Sequence, residues 1–168
     1  MSLILIKDNA LSLENVKMFT TKGKNILIID DDQDITNLFQ IFLEYDGYRV
    51  NAFTDPIDAL YSFRRNVYDL VLLDLKMPKI NGMLLYQKLK NIDPDLLFCF
   101  ITANKEYLEH LKKSNSNIEK IVIYKPIHLS ELRDKIHLLL ANHEQQDKKQ
   151  LLMILWLIII IIIIINKV

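Results

Sequence analysis

Over 168 residues, 21 basic side chains balance 21 acidic ones, so no net field draws the chain toward nucleic acid or an anionic membrane. No basic stripe with interleaved aromatics appears, which argues against a DNA-binding effector. A lone cysteine, Cys99, builds no disulfide frame, and four histidines without HExxH spacing or a cysteine partner argue against zinc.

Residues 1–23 show no regular pattern, and their one apolar run, 3-LILI-6, is too short for a signal-peptide core; export is not expected. From about residue 24 to 141 two periodicities alternate. Short aliphatic runs predict strands at 26-ILII-29, 48-YRVNAF-53, 69-DLVLLD-74, 96-LLFCFI-101 and 120-KIVIY-124. The first, third and fourth are almost wholly apolar, as strands covered on both faces must be. Cys99 lies inside one of them and reads as core packing. Helical spacing fills the intervals. Ile35, Leu38, Phe39, Phe42 and Leu43 form one apolar stripe, stopped by Gly47. A second helix opens at 54-TDP-56, with Thr54 or Asp55 as its cap. A third follows 81-NG-82, a fourth spans about 103–113, and a fifth about 129–141. Strand and helix alternate five times with short loops, which defines one α/β domain, 24–141: a doubly wound, five-stranded parallel sheet with helices on both faces. The polar run 142-NHEQQDKKQ-150 reads as a linker to an apolar tail, 151–168.

In such sheets ligands bind outside the carboxyl ends of the strands. The first strand ends at Asp30, Asp31 and Asp32, the third at Asp74, the fourth at Thr102 and the fifth at Lys125. Two carboxylates about 4 Å apart repel by roughly 4 kcal/mol at an effective dielectric near 20, so the acidic run needs a counter-charge. Asp32 or Asp34 is accounted for as a helix cap. Oxygen ligands without histidine or thiolate favour a hard cation, and Mg²⁺, which uses one or two carboxylates and keeps several waters, suits the remainder.

The motifs 28-IIDDD-32, 73-LDLKMPKINGM-83, 101-ITA-103 and 124-YKP-126, in that order and spacing, resemble the receiver domains of two-component response regulators, over about 118 residues. That resemblance implies a CheY-like, flavodoxin-like fold with strand order 2-1-3-4-5. It implies that Asp30 and Asp31 form the acidic pocket and Asp74 is the phosphoacceptor. Thr102 corresponds to the switch hydroxyl and Lys125 to the phosphoryl-pairing lysine before a typically cis Pro126. Asp31, Asp74 and the Lys76 main-chain carbonyl match the family's metal ligands. Pro78 and Gly82 match the turn after the phosphorylation site. The pattern departs at Val122, where the family places an aromatic, and at 112-KKSNSNIEK-120, which lacks the family's small Gly-Ala turn.

The function so implied is a stand-alone, non-enzymatic phosphoacceptor. A histidine kinase or histidine phosphotransfer protein would supply the phosphoryl group in a Mg²⁺-dependent reaction. An unidentified downstream protein, not nucleic acid, would read the result. Two alternatives stand beside it. One is a phosphorylation-independent interaction module that keeps the fold. The other is a Mg²⁺-dependent aspartyl-phosphate phosphatase, which needs a second acid two residues after its nucleophile, where this chain has Lys76.

The tail 151-LLMILWLIIIIIIII-165 is fifteen apolar residues preceded by Lys148 and Lys149. As a helix it is about 22 Å long, short of the roughly 30 Å hydrocarbon core, although flanking lysines can snorkel. Three readings are open: an anchor tethering a cytoplasmic domain to the inner membrane face, an element packed on a partner or on the domain itself, and a low-complexity extension prone to β aggregation.

Overall fold

The computed structural model describes residues 23–103 and 121–165. Five strands form one sheet: β1 (Asn25–Ile29), β2 (Arg49–Phe53), β3 (Leu70–Asp74), β4 (Leu97–Thr102) and β5 (Val122–Tyr124). All neighbours are parallel and the order is β2-β1-β3-β4-β5, as the family resemblance implies. Four helices are described: α1 (Gln33–Tyr45), α2 (Pro56–Ser62), α3 (Gly82–Ile92) and α4 (Leu129–Ile165). The helix expected near 103–113 and the segment 112–120 fall outside the described residues, as do most of the N-terminal extension and residues 166–168.

Burial follows the strand patterns. Every residue of β3 is buried, and β1 and β4 are buried except at their first residues. Alternate side chains feed two cores. Leu27, Ile29, Val71, Leu73, Phe98 and Phe100 pack on one face of the sheet with α2 and α3. Ile26, Ile28, Leu70, Leu72, Cys99 and Ile101 pack on the other with α1 and α4. Cys99 is wholly buried, and burial pushes its thiol up to about 12, as the core reading requires.

The expected caps are in place. Asp32 caps α1, accepting from the N–H groups of Asp34 and Ile35. Asp55 caps α2 with Pro56 at the first turn; α3 follows 81-NG-82 as expected and is capped by Asn81, a role its sequence alone did not assign. Gly47, at φ +93°, takes the left-handed position just past α1. The buried stripe of α1 is Thr36, Phe39 and Leu43, whereas Leu38, expected within it, is half exposed. The helix turned its face toward Thr36, whose hydroxyl donates to the carbonyls of Asp30 and Asp32 and so needs to lie inward.

The C-terminal region differs from expectation. Residues 142–150 are helical, and α4 runs unbroken over 37 residues from Leu129 to Ile165. The run has no Gly or Pro, and its Glu, Gln and Lys are strong helix formers; His143 and Asp147 also pair one turn apart at 3.2 Å. Its polarity reports exposure, not irregular backbone. Leu132, Ile136 and Leu140 are the buried side chains of α4; beyond them the apolar tail is exposed on all sides.

Candidate functional site

Four strands deliver their last residue, or the one just after it, to one rim. β1 runs directly into Asp30, whose side chain is 1% exposed. The loop beyond it is held by the Asp32 N–H, which donates to Asp30 Oδ1 at 3.0 Å, and by the Thr36 hydroxyl. Asp31, the next residue, is exposed. β3 ends in Asp74, which is 5% exposed. The Lys76 N–H donates to Asp74 Oδ1 at 3.0 Å, and the Leu75 N–H ties this strand end to the carbonyl of Ile101.

β4 ends in buried Thr102, whose carbonyl accepts from the Lys125 N–H at 2.9 Å. The Lys125–Pro126 peptide is cis, as the resemblance implies. Lys125 Nζ donates to Asp30 Oδ2 at 2.8 Å and to Asp74 Oδ2 at 2.7 Å, bridging residues 95 and 51 positions away in the chain. Oxygens of Asp30, Asp31 and Asp74 all lie within 4.8 Å of one another. Asp30, Asp31, Asp74 and Lys125, from three strand ends, therefore converge, and Thr102 adjoins them through its main-chain bond to Lys125.

Lys125 supplies part of the counter-charge that this crowding demands. Burial pushes the Asp30 carboxyl above the ordinary carboxylate range and Asp74 adds to the rise, although Lys125 and the Asp32 N–H pull it down. For Lys125, burial works downward, but its bonds to Asp30 and Asp74 prevail and raise it, so it is an ammonium at neutral pH. One lysine against three carboxylates leaves the rim negative. The donor set fits a single hard cation. Opposite oxygens on an octahedral Mg²⁺ stand about 4.2 Å apart, comparable with the 4.8 Å within which these three carboxylate oxygens lie.

Two supporting residues, Thr36 and Lys79, were not singled out by the sequence, whereas Gly82 was, as part of the turn after the third strand. Thr36 braces the acidic loop, and a threonine four residues after a capping aspartate is its only signal. Lys79, at φ +69°, forms an ion pair with Asp55 that ties the loop after β3 to the start of α2. Gly82 sits against the main chain of the site: a Cβ there would stand 2.4 Å from the Asp74 carbonyl oxygen and 2.7 Å from Leu75 Cα. At the position where the family places an aromatic, Val122 is buried and in register with Phe100. Tyr124, on the same face of β5, is in register with Thr102.

The fold and this rim define a signalling domain of the two-component type. The response regulator receiver domain model matches residues 26–137, and the chain belongs to that family. Among curated relatives, Response regulator SaeR of Staphylococcus aureus (strain USA300) is 35% identical over 82 residues, a match covering 49% of this chain and 36% of SaeR. The match thus spans about a third of the length of that relative. Among solved structures, a CheY-like response regulator receiver domain protein from Methanospirillum hungatei JF-1 superposes with a TM-score of 0.64 at 26% identity, covering 74% of this chain and 99% of the other. The non-phosphorylated HemR receiver domain from Leptospira biflexa gives 0.61 at 30% identity, covering 70% and 94%.

Proposed function

We propose that Asp74 accepts a phosphoryl group from a phosphohistidine on a partner histidine kinase or histidine phosphotransfer protein. The observation that carries this reading is the buried Asp74 carboxylate, bonded to Lys125 and within 4.8 Å of two further carboxylates. An Asp74 carboxylate oxygen attacks phosphorus, the P–N bond to the imidazole breaks, and its electron pair stays on the departing ring nitrogen. Mg²⁺, held by Asp31, Asp74 and the Lys76 carbonyl beside Asp30, would supply the positive charge that lets one anion approach another. Lys125, its Nζ already 2.7 Å from Asp74, moves from the carboxylate to a phosphoryl oxygen as charge builds there. The Thr102 hydroxyl turns to hydrogen-bond a second phosphoryl oxygen, and the new dianion reorders the rim loops into a face that a downstream protein reads.

Intact-mass measurement after treatment with a small phosphodonor and Mg²⁺, followed by mapping of the modified residue, tests this. One phosphoryl group on Asp74 is expected, with none on Asp74→Asn. Undiminished labelling of that variant would overturn the assignment, and no labelling of the wild-type chain would favour a phosphorylation-independent module.

The exposed half of α4 is proposed to insert into a lipid bilayer and tether a cytoplasmic domain. Leu129–Ile165 is long and apolar enough to cross a membrane by length and composition, and none of its apolar stretch is buried against the domain. Apolar side chains cover this half on every side, where a helix docking on one protein partner would show a stripe. Fractionation of cells making the full chain and a version ending at Gln150 checks this: the full chain is expected with the membranes and the shortened one in the soluble fraction.

A further inference from the structure

Resting on the tether just proposed, we infer that α4 fixes which edge of the receiver faces the bilayer: the amino-terminal edge of the sheet, with the Asp74 rim turned away from it. The course of α4 carries the inference. It starts at Leu129, three residues after Pro126 at the rim, and Leu132, Ile136 and Leu140 dock it along the sheet at four-residue intervals. By Glu144, about 22 Å further along, it has reached the opposite edge. There Glu144 lies 3.5 Å from Lys24, beside the start of β1, and Lys24 also pairs at 3.2 Å with Asp69, which precedes β3. The helix then leaves the domain without a break, and about 10 Å of polar helix separates Glu144 from the first apolar residue, Leu151.

The charges at that edge agree with a stand-off. Asp69, Asp93, Asp95 and Glu144 line the depression there against one lysine, Lys24. An edge with this excess of carboxylates is repelled by anionic headgroups. The repulsion decays over about 8 Å at physiological salt, close to the spacing that the polar turns provide. Lys148 and Lys149, just before the apolar run, are the residues placed to meet the headgroups instead. A receiver held this way offers its acidic rim to soluble partners approaching from the aqueous side.

Two variants of the full chain, each with one added cysteine, test the orientation. Gln33→Cys puts a fluorophore at the rim and Asp95→Cys puts one at the opposite edge; both sites are exposed, while native Cys99 is wholly buried and stays unlabelled in the folded protein. Vesicles of phosphatidylcholine and phosphatidylglycerol would carry a headgroup-linked acceptor. Five-residue strands place about 16 Å between the two edges, so quenching is expected to be at least about twofold stronger at position 95 than at 33. Lys148→Pro, which breaks the helix outside the domain, is expected to keep the chain on vesicles and bring that ratio toward unity. Flotation of the chain with equal or reversed quenching would overturn the orientation and leave the tether standing. A ratio unchanged by Lys148→Pro would overturn the helix as its cause. Failure to float at all, including self-association through the tail in solution, would overturn the tether and the orientation together.

Discussion

Each edge of the sheet holds a lysine between two carboxylates. At the carboxyl edge Lys125 bridges Asp30 and Asp74 at 2.8 and 2.7 Å; at the amino edge Lys24 bridges Asp69 and Glu144 at 3.2 and 3.5 Å. The residue types match, but the surroundings do not. Asp30 and Asp74 are buried almost completely, and Asp31 adds a third carboxylate nearby. Lys24 and Asp69 each keep about a third of their side chains in water, with side-chain exposures of 31%. Water screens the second cluster and has little access to the first. The triad at the amino edge is therefore surface electrostatics, while the one at the carboxyl edge holds unresolved negative charge, which is what a cation or a phosphoryl transfer can use.

Removing the lysine at each edge should separate the two most sharply. Lys125→Met strands Asp30 and Asp74 without their cation, and loss of one partner from a buried pair costs about 3–5 kcal/mol. Urea unfolding should show that loss in metal-free buffer. Mg²⁺ binds the folded state and replaces the missing charge, so the variant should gain more stability from added Mg²⁺ than the wild type does. A loss under 1 kcal/mol, or one that Mg²⁺ does not lessen, would place this triad with the one at the other edge. Phosphodonor labelling of the variant should also fall steeply, because no ammonium remains to receive the phosphoryl oxygen.

Gly82→Ala probes the same rim through the backbone. The new Cβ meets main-chain atoms of Asp74 and Leu75, which cannot swing aside as a flexible side chain could. A cost of about 1–3 kcal/mol is expected, together with slower labelling, because relief of the clash must move Asp74. Wild-type stability with an unchanged labelling rate would show that the loop after β3 yields without disturbing the acid.

Asp30→Asn should act in the other direction. Burial raises the folded-state value of Asp30, so from the ordinary carboxylate value of 3.8 upward the unfolded chain releases its proton first. Stability from this group is then lost as pH climbs from 3.8 through the raised folded value, and it stays lost at neutral pH. The variant should match the wild type near pH 3 and exceed it at pH 7, while responding less to Mg²⁺. Urea midpoints at the two pH values read the difference; a variant less stable at both would mean that the Lys125 bond outweighs the desolvation.

Much of this arrangement was readable from the chain. The nearly continuous apolar runs at 26–29, 69–74 and 96–101 became the strands buried on both faces, and their terminal Asp30, Asp74 and Thr102 gathered as the ends of parallel strands must. The Asp32 cap was legible because a cap is a local event, decided by a side chain and the next three N–H groups. The remainder depended on distance in three dimensions. No pattern around Gly82 shows that the Asp74 carbonyl lies where a Cβ would be, and none around Lys24 names Glu144 as its partner 120 positions later. The polar run 142–150 is helical where a linker was expected because hydrophilicity and helix propensity are independent: six of its nine residues are Glu, Gln or Lys, none is Gly or Pro, and such a run between two helical segments continues them.

The smallest effect belongs to the amino edge, and it bears on the meaning of the contrast. Burial lowers the Lys24 value, but Asp69 and Glu144 outweigh that and raise it, so the contribution of this pair is present below the ordinary lysine value of 10.5 and disappears as pH rises through the folded one. Lys24→Met should cost no more than about 1 kcal/mol, vanish in high salt and ignore Mg²⁺. The depression beside it offers Asp69, Asp93, Asp95 and Glu144, but Asp69 is engaged by the Asn25 N–H at 2.7 Å and Asp93 by the Asn66 N–H at 2.9 Å. Two of the four acids there are thus already committed to holding the backbone. If Mg²⁺ nevertheless stabilised the Lys24 variant as strongly as the Lys125 variant, the difference in burial would not be what separates a site from a surface.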